Sequence, residues 1–195
     1  MDIIKALQEE LNIGRSQVEA AVKLIDEGNT IPFIARYRKE ATGALNDEVL
    51  RSLDERLRYL RNLEERKEQV LSSIREQEKL TPELERQIQS AATLVAVEDL
   101  YRPYRPKRRT RATIAQEKGL GPLADAIALQ MMKEPLEEAA RAYVSEEKGV
   151  ASPEDAIAGA GDILAERISD EAKYRTYIRN LTLKQGSIQS AAKDE

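Results

Sequence analysis

The chain has 195 residues and a formal net charge of −4, with 41% hydrophobic and 34% charged residues, a composition typical of a soluble, helix-rich protein. It contains no cysteine and no histidine, which excludes disulfides, thiolate nucleophiles, histidine acid–base catalysis and most zinc or transition-metal sites. The amino terminus lacks the pattern of a secretory signal, and no apolar run reaches the roughly 18–20 residues of a membrane span. We therefore expect a cytoplasmic protein.

Short helices are predicted at the start of the chain. Apolar residues recur at helical spacing over residues 3–11 and again over 16–25, and glycines follow both runs. The pair favours a plain helical hairpin over half of a DNA-binding helix-turn-helix, because its second helix has few cations to face a groove. A third short helix is expected to follow Thr30 as its N-cap and to end at Thr42-Gly43.

The longest predicted element runs from Asn46 to about Lys79 without glycine or proline. Its apolar residues form one stripe at helical spacing, and we expect Leu53, Leu57 and Leu60 to be buried against other helices of the same chain. The stripe turns polar in its middle, which disfavours a continuous coiled-coil dimer. A helix of this length spans roughly 50 Å, enough to bridge subdomains, although a long hairpin arm also fits.

Further helices and no strand are predicted over residues 81–185. N-caps are expected at Thr81, Ser152 and Ser169, because each is followed by proline or acidic residues. Residues 186–195 have the polar composition of a frayed end. The sequence therefore predicts an all-α, multi-helical fold of about nine or ten helices with one long spine helix.

The segment 102–111 concentrates positive charge in an otherwise acidic chain. It holds six cations, two prolines and no acid in ten residues, whereas the other 185 residues carry 25 basic against 35 acidic side chains. Lysine and arginine release condensed counterions from phosphates, so such a segment is typical of nucleic-acid contact. An arginine-rich loop that pairs with acidic helices of the same protein explains it equally well. The candidate phosphate contacts are Arg102, Arg105, Lys107, Arg108, Arg109 and Arg111.

A second group of cations, Arg36, Arg38 and Lys39, lies beside a tyrosine and extends the set of candidate nucleic-acid contacts. In the basic segment, Tyr101 and Tyr104 are positioned to stack on unpaired bases. Packed tyrosines that anchor the segment are an equally good interpretation.

No motif for catalysis or cofactor binding is present. The sequence lacks a phosphate-binding glycine loop, a dinucleotide fingerprint and a hydrolase elbow. Gly119 and Gly121 lie between two predicted helices like a helix-hairpin-helix turn, but Pro122 removes a backbone donor and Gly119 is explained as a C-cap. Acidic pairs such as Glu98-Asp99 have no catalytic partner beside them. We therefore expect no enzymatic activity, no cofactor and no metal site.

Four longer motifs together resemble the N-terminal region of the Tex family, the bacterial transcription accessory proteins. They are Ile31–Glu40, Thr42–Leu45, Glu98–Ala115 and Gly119–Leu123. The resemblance implies a helical region with a helix-turn-helix-like part and a long spine helix. Full-length members continue into an RNase-H-like domain, helix-hairpin-helix modules and a C-terminal OB-fold RNA-binding domain, and they resemble the core of a eukaryotic transcription elongation factor.

This resemblance leads to the expected organisation of residues 1–195 as the N-terminal helical region of a longer protein. The parts are a helical hairpin or helix-turn-helix-like part at 1–44, the long helix at 45–80, a helical part with the basic loop at 81–185, and the frayed end at 186–195.

The expected function is that of a non-catalytic helical scaffold and nucleic-acid-associated module of a Tex-type transcription factor. Its partners would be RNA or DNA bound without sequence preference, the remaining domains of the full-length protein, and the transcription machinery, but no membrane. The alternative is a protein–protein interaction scaffold that docks other domains, or the transcription or translation machinery, without touching nucleic acid. A third candidate, a nuclease, would need the RNase-H-like domain.

Overall fold

The computed structural model describes residues 2–106 and 109–191, and over these residues the protein is all-α. It divides into two compact units, Met1–Val97 and Glu98–Glu195, each with its own hydrophobic core. The described residues form eleven α-helices and one short 3-10 helix but no strand, and an isolated bridge joins Ser145 to Val150. The predicted fold class is therefore confirmed.

The first unit contains five helices and the start of a sixth. They are α1 (Ile3–Leu11), α2 (Arg15–Asp26), α3 (Ile31–Tyr37), α4 (Asp47–Glu76), α5 (Pro82–Ser90) and α6 (Leu94–Tyr101), and the boundary between the units falls inside α6. Two predicted N-caps are confirmed, because Asn46 accepts a hydrogen bond from the backbone N–H of Val49 at 2.8 Å and Thr81 accepts one from Leu84 at 3.2 Å.

Helix α4 is the predicted long helix and forms the spine of the first unit. It has 30 residues, which corresponds to about 45 Å. Its apolar stripe packs on α1, α2 and α3, and Leu53, Leu57 and Leu60 are 0%, 1% and 2% exposed. This burial confirms the prediction for the three leucines.

The polar middle of the α4 stripe is also buried. Lys67 is only 3% exposed, and its ammonium donates to Glu64 Oε1 at 2.8 Å and to the carbonyl of Gln89 at 2.9 Å. Gln89 belongs to the last turn of α5, where unpaired carbonyls carry partial negative charge and attract a cation. The polar stretch therefore joins α4 to α5 within the same unit.

The second unit is assembled around one helix. After the 3-10 helix Arg102–Tyr104 come α7 (Arg111–Glu117), α8 (Gly121–Leu129), α9 (Leu136–Arg141), α10 (Pro153–Asp170) and α11 (Ala172–Gln185). Helix α10 contacts α7, α8, α9 and α11, and its inward residues Ala156, Ala160 and Ile163 are fully buried. Small residues at two of these positions allow the surrounding helices to pack closely on α10.

The N-cap predicted at Ser169 was wrong. Ser169 does not cap a helix, because α10 continues to Asp170 and the extended residue before α11 is Glu171, which makes no side-chain cap. The carboxylate of Asp170 is instead engaged by an arginine of the basic segment. The helix number exceeds nine or ten because Ala91, with φ −60° and ψ 127°, separates α5 from α6. Ser152 does cap α10, as predicted, by accepting from Asp155 at 3.2 Å.

The end of the chain is described as far as residue 191. Residues 186–191 follow α11 without regular secondary structure, and the rest of the predicted frayed end, 192–195, lies outside the described residues. Within the described ranges no helix combines the length and apolarity that a membrane crossing requires.

Candidate nucleic-acid interface

The basic loop, residues 102–111, connects α6 to α7 in the second unit. Its first turn is closed by a hydrogen bond of 3.0 Å from the backbone N–H of Arg105 to the carbonyl of Tyr101. At the other end Thr110 caps α7 by accepting from the N–H of Thr113 at 3.1 Å. Both ends of the loop are thus anchored. Two of the predicted contacts, Lys107 and Arg108, lie outside the described residues.

Arg102, the first cation of the basic loop, is tied to helix α10. Its Nε donates to Asp170 Oδ1 at 2.9 Å, and the Asp170 side chain is 11% exposed. This pair matches the intramolecular interpretation that the sequence left open. Arg105 is exposed and makes no ion pair with any residue in the described ranges.

The two arginines at the far end of the loop form exposed ion pairs. Arg109 lies 2.7 Å from Glu117 of α7, and the two side chains are 67% and 53% exposed. Arg111 lies 3.9 Å from Asp162, and its side chain is 86% exposed. Solvent-exposed pairs of this kind contribute only about 0–1 kcal/mol, so they do not immobilise the guanidinium groups.

The four described arginines of the loop line one open groove, with a volume of about 530 Å³. The opposite wall comes from α10, where Asp162, Glu166 and Asp170 follow one another at four-residue spacing and therefore share one face of the helix. The groove thus has a basic rim and an acidic wall. The sequence left open that the loop pairs with acidic helices of the same protein, and the structure identifies α10 as the helix that faces it.

The tyrosines of the loop region differ in burial. Tyr101 is 8% exposed and packs inside the protein, which confirms the anchoring interpretation for this residue. Tyr104 is half-buried in the 3-10 helix. Tyr104 is therefore the only one of the two with surface available to a base in the part of the chain that the structure describes.

The other predicted contacts lie in the first unit, at the end of α3. Arg36, Arg38 and Lys39 are all exposed, and none of them forms an ion pair with a described residue. Two aromatic residues of the same segment, Phe33 and Tyr37, have ring centroids 5.3 Å apart, and Arg38 lies over the Phe33 ring. We call Phe33, Arg36, Tyr37, Arg38 and Lys39 the α3 patch.

Asp99 has a structural role that the sequence did not predict, since there it was only one member of an acidic pair. It is 4% exposed, and it accepts hydrogen bonds from Arg175 at 2.8 Å and from Arg179 at 2.6 Å, which join α6 to α11. Burial acts to raise the pKa of the Asp99 carboxyl, but the hydrogen bonds from the two arginines outweigh it and lower the pKa below its usual value. The sequence signal that could have identified this role is the presence of charged residues within the otherwise apolar sequence of α6.

The chain matches two family models, the Tex-like protein N-terminal domain over residues 1–75 and the Tex central region-like model over residues 131–195. It is 48% identical over 186 residues to the uncharacterized protein YdcI of Bacillus subtilis, covering 95% of this chain and 26% of that protein. The Transcriptional accessory protein Tex of Neisseria gonorrhoeae is 48% identical over 180 residues, covering 92% of this chain and 23% of that protein.

A human relative, S1 RNA-binding domain-containing protein 1, is 28% identical over 185 residues, covering 94% of this chain and 18% of that protein. The chain thus spans about a quarter or less of the length of the curated relatives it matches. The two family models together cover more than two thirds of the chain. This protein therefore belongs to the Tex family, with residues 1–75 matching the family's N-terminal domain and residues 131–195 its central region.

Proposed function

We propose that this chain is a non-catalytic, nucleic-acid-associated helical module of a transcription accessory factor, and that its basic loop contacts phosphates without sequence specificity. The names of its relatives include a transcriptional accessory protein and an RNA-binding-domain protein, which supports association with transcription and nucleic acid. The absence of histidine and cysteine from the sequence supports a role without catalysis.

The observation that carries the proposal is the exposure of the loop arginines around one groove. Arg109 and Arg111 are 67% and 86% exposed, and Arg105 has no ion pair within the described ranges. Exposed guanidinium groups exchange a weak carboxylate partner for a phosphate at little cost, and they bind phosphate in a bidentate manner. Arg102 has a different role, because its ion pair with buried Asp170 anchors the loop on α10.

The test replaces Arg105, Lys107, Arg108 and Arg109 by Gln and measures binding to unrelated duplexes at several salt concentrations. Each phosphate contact contributes about 0.9 to the slope of log K against log salt on duplex DNA, so we expect the slope to flatten by about 3–4 units. The loss of affinity should be equal for all sequences.

A matched control removes four exposed lysines of the same unit, Lys133, Lys148, Lys173 and Lys184, by the same change to Gln. This variant has the same net charge and should keep most of the slope. If both variants bind alike, the loop cations are structural and their role is to pair with the acidic wall of α10.

A second candidate function, a protein-docking scaffold, is favoured by helix α11. It buries no residue, and it exposes Tyr174, Tyr177, Ile178 and Leu181, which recur at three- and four-residue spacing and lie on one face. An unburied apolar face of this kind is typical of protein–protein contact. Absence of oligonucleotide binding at low salt would favour this function over the first.

A further inference from the structure

The α3 patch combines exposed aromatic rings with unpaired cations, whereas most described arginines of the basic loop have carboxylate partners. We propose that the α3 patch is a stacking platform for single-stranded nucleic acid, in which unpaired bases stack on Tyr37 and phosphates contact Arg36, Arg38 and Lys39. The inference rests on the proposed association of this chain with nucleic acid, but it does not depend on the basic loop.

Helix α3 has two faces that differ in chemistry. Ile31, Ile34 and Ala35 pack into the core of the first unit, and Ile34 is 0% exposed. The same three- and four-residue spacing places Phe33, Arg36 and Tyr37 on the outer face. Burial of the inner face therefore fixes which side chains the helix presents to solvent.

The aromatic rings on this outer face are available to a ligand. Tyr37 is 61% exposed and Phe33 is 36% exposed, with their ring planes tilted by 48°. The guanidinium carbon of Arg38 lies 5.4 Å from the centroid of the Phe33 ring, which is within cation–π distance. Arg38 thus covers Phe33, and Tyr37 retains the larger exposed surface. Nucleic-acid bases stack on such rings regardless of sequence.

The net positive charge of the α3 patch favours binding to a polyanion. The first unit is acidic, with 15 basic and 18 acidic side chains, and several arginines elsewhere in it are paired with carboxylates, for example Arg51 with Asp47 and Arg61 with Asp26. Residues 31–45 carry three cations and one acid, Glu40. The unpaired cations therefore attract phosphates, and the rings beside them require unpaired bases, a combination that fits a single strand better than a duplex.

The turn that carries two of the cations is rigidly held. Thr42 is fully buried, and its hydroxyl donates to the carbonyl of Arg38 at 3.2 Å. From α2, Gln17 donates to the carbonyls of Thr42 at 3.3 Å and of Gly43 at 3.0 Å. Gly43 has φ +61°, and a Cβ there would lie 2.7 Å from Gln17 Nε2, so this contact requires glycine. A fixed turn reduces the conformational entropy lost on binding.

The experiment uses the absence of tryptophan from the chain. In a Tyr37→Trp variant the only indole lies in the patch, and its fluorescence is titrated with oligothymidylate and with a duplex of the same length at low salt. We expect saturable quenching by the single strand at concentrations that leave the duplex signal unchanged. Quenching by polyglutamate but not by oligothymidylate would overturn the inference in favour of an acidic protein partner.

Substitutions identify which side chains of the α3 patch bind the single strand. Tyr37→Ala should weaken single-strand binding by about fivefold or more, since stacking on one ring is worth about 1–3 kcal/mol, whereas Tyr37→Phe should retain affinity. Met131→Ala removes an apolar side chain that is 79% exposed outside the α3 patch and serves as the control without effect. Replacing Arg36, Arg38 and Lys39 by Gln should flatten the salt slope on single strands by about 2 units.

The outcomes separate this inference from the proposed function. If the α3 variants bind like the parent while the loop variant loses affinity, the stacking platform is wrong and the phosphate-binding loop stands. If the parent chain binds no oligonucleotide at low salt, both are wrong.

Discussion

Two buried carboxylates, Asp99 and Asp170, determine where several arginines of the second unit point. Asp99 engages Arg175 and Arg179, and Asp170 engages Arg102. Each of the two residues is 8% exposed or less, so the charge of its carboxylate depends on these partners for compensation. Arginines held in this way are structural, which leaves the exposed cations for a ligand.

The first prediction concerns the pH dependence that Asp99 confers. Its pKa in the folded protein is lowered, so the ionised carboxylate stabilises the fold above the usual pKa of about 4, and this stabilisation is lost as the pH falls through the folded pKa. Asp99→Asn should therefore reduce the free energy of unfolding at pH 7 by about 1–3 kcal/mol. Denaturant unfolding of both proteins should show this difference shrinking below about pH 4.

Asp162→Asn is the matched control, because this carboxylate is more exposed and its arginine is 3.9 Å away. It should change stability little at any pH. A difference between the parent and Asp99→Asn that stays constant from neutral pH into strong acid would contradict the assigned role of the Asp99 charge.

At the residue scale, charge composition predicted the cations but not their partners. The sequence shows the density of arginines in 102–111 directly. It does not show that Arg102 pairs with Asp170, which lies 68 positions away. A pairing over this distance depends on how α10 packs, and no local pattern encodes it. The unpaired state of Arg36, Arg38 and Lys39 could not be predicted for the same reason.

At the scale of elements, one helix organises each unit. Helix α4 buries its stripe against α1, α2 and α3, and α10 is surrounded by α7, α8, α9 and α11. Three helix starts followed from local cap chemistry at Asn46, Thr81 and Ser152. The cap predicted at Ser169 was wrong because α10 continues through Ser169 to Asp170, whose carboxylate accepts a hydrogen bond from Arg102 of the basic loop.

The second prediction tests the packing of α4. Leu57 is 1% exposed in the first core, so Leu57→Ala should lower the free energy of unfolding by about 2–5 kcal/mol through lost burial and a cavity. Leu129→Ala on α8 is the control, since that side chain is 68% exposed and its removal should cost little. A loss for Leu57→Ala below about 1 kcal/mol would contradict a fully enclosed site.

The third prediction compares two glycines of α10. A Cβ at Gly159 would lie 2.4 Å from Leu120 Cδ1, and Leu120 is 1% exposed, so Gly159→Ala should destabilise the protein by about 1–3 kcal/mol. A Cβ at Gly161 meets no described atom within 4 Å, so Gly161→Ala should stabilise the helix by about 0.5–1 kcal/mol. Thermal unfolding of the two variants measures these opposite changes in stability. Equal effects of both changes would mean that α10 does not pack closely on Leu120.

At the scale of the whole molecule, two compact units carry two separate groups of exposed cations. The division at Val97 and Glu98 lies inside α6, where neither glycine nor proline interrupts the sequence, so no local signal marks it. The sequence analysis divided the chain at residues 44 and 80, where it predicted loops between helices. That division remains a prediction. Family membership, by contrast, was carried by the long motifs of the sequence and is confirmed by both family models.

A salt titration of the chain with unrelated oligonucleotides decides whether its exposed cations bind phosphates. If the exposed cations bind phosphates, log K should fall linearly with log salt, with a slope of about −3 or steeper on duplex DNA, since at least four cations each release about 0.9 counterion. The slope should be the same for unrelated sequences. A slope near zero, or no binding at low salt, would contradict phosphate contact and leave the docking face of α11 as the functional surface.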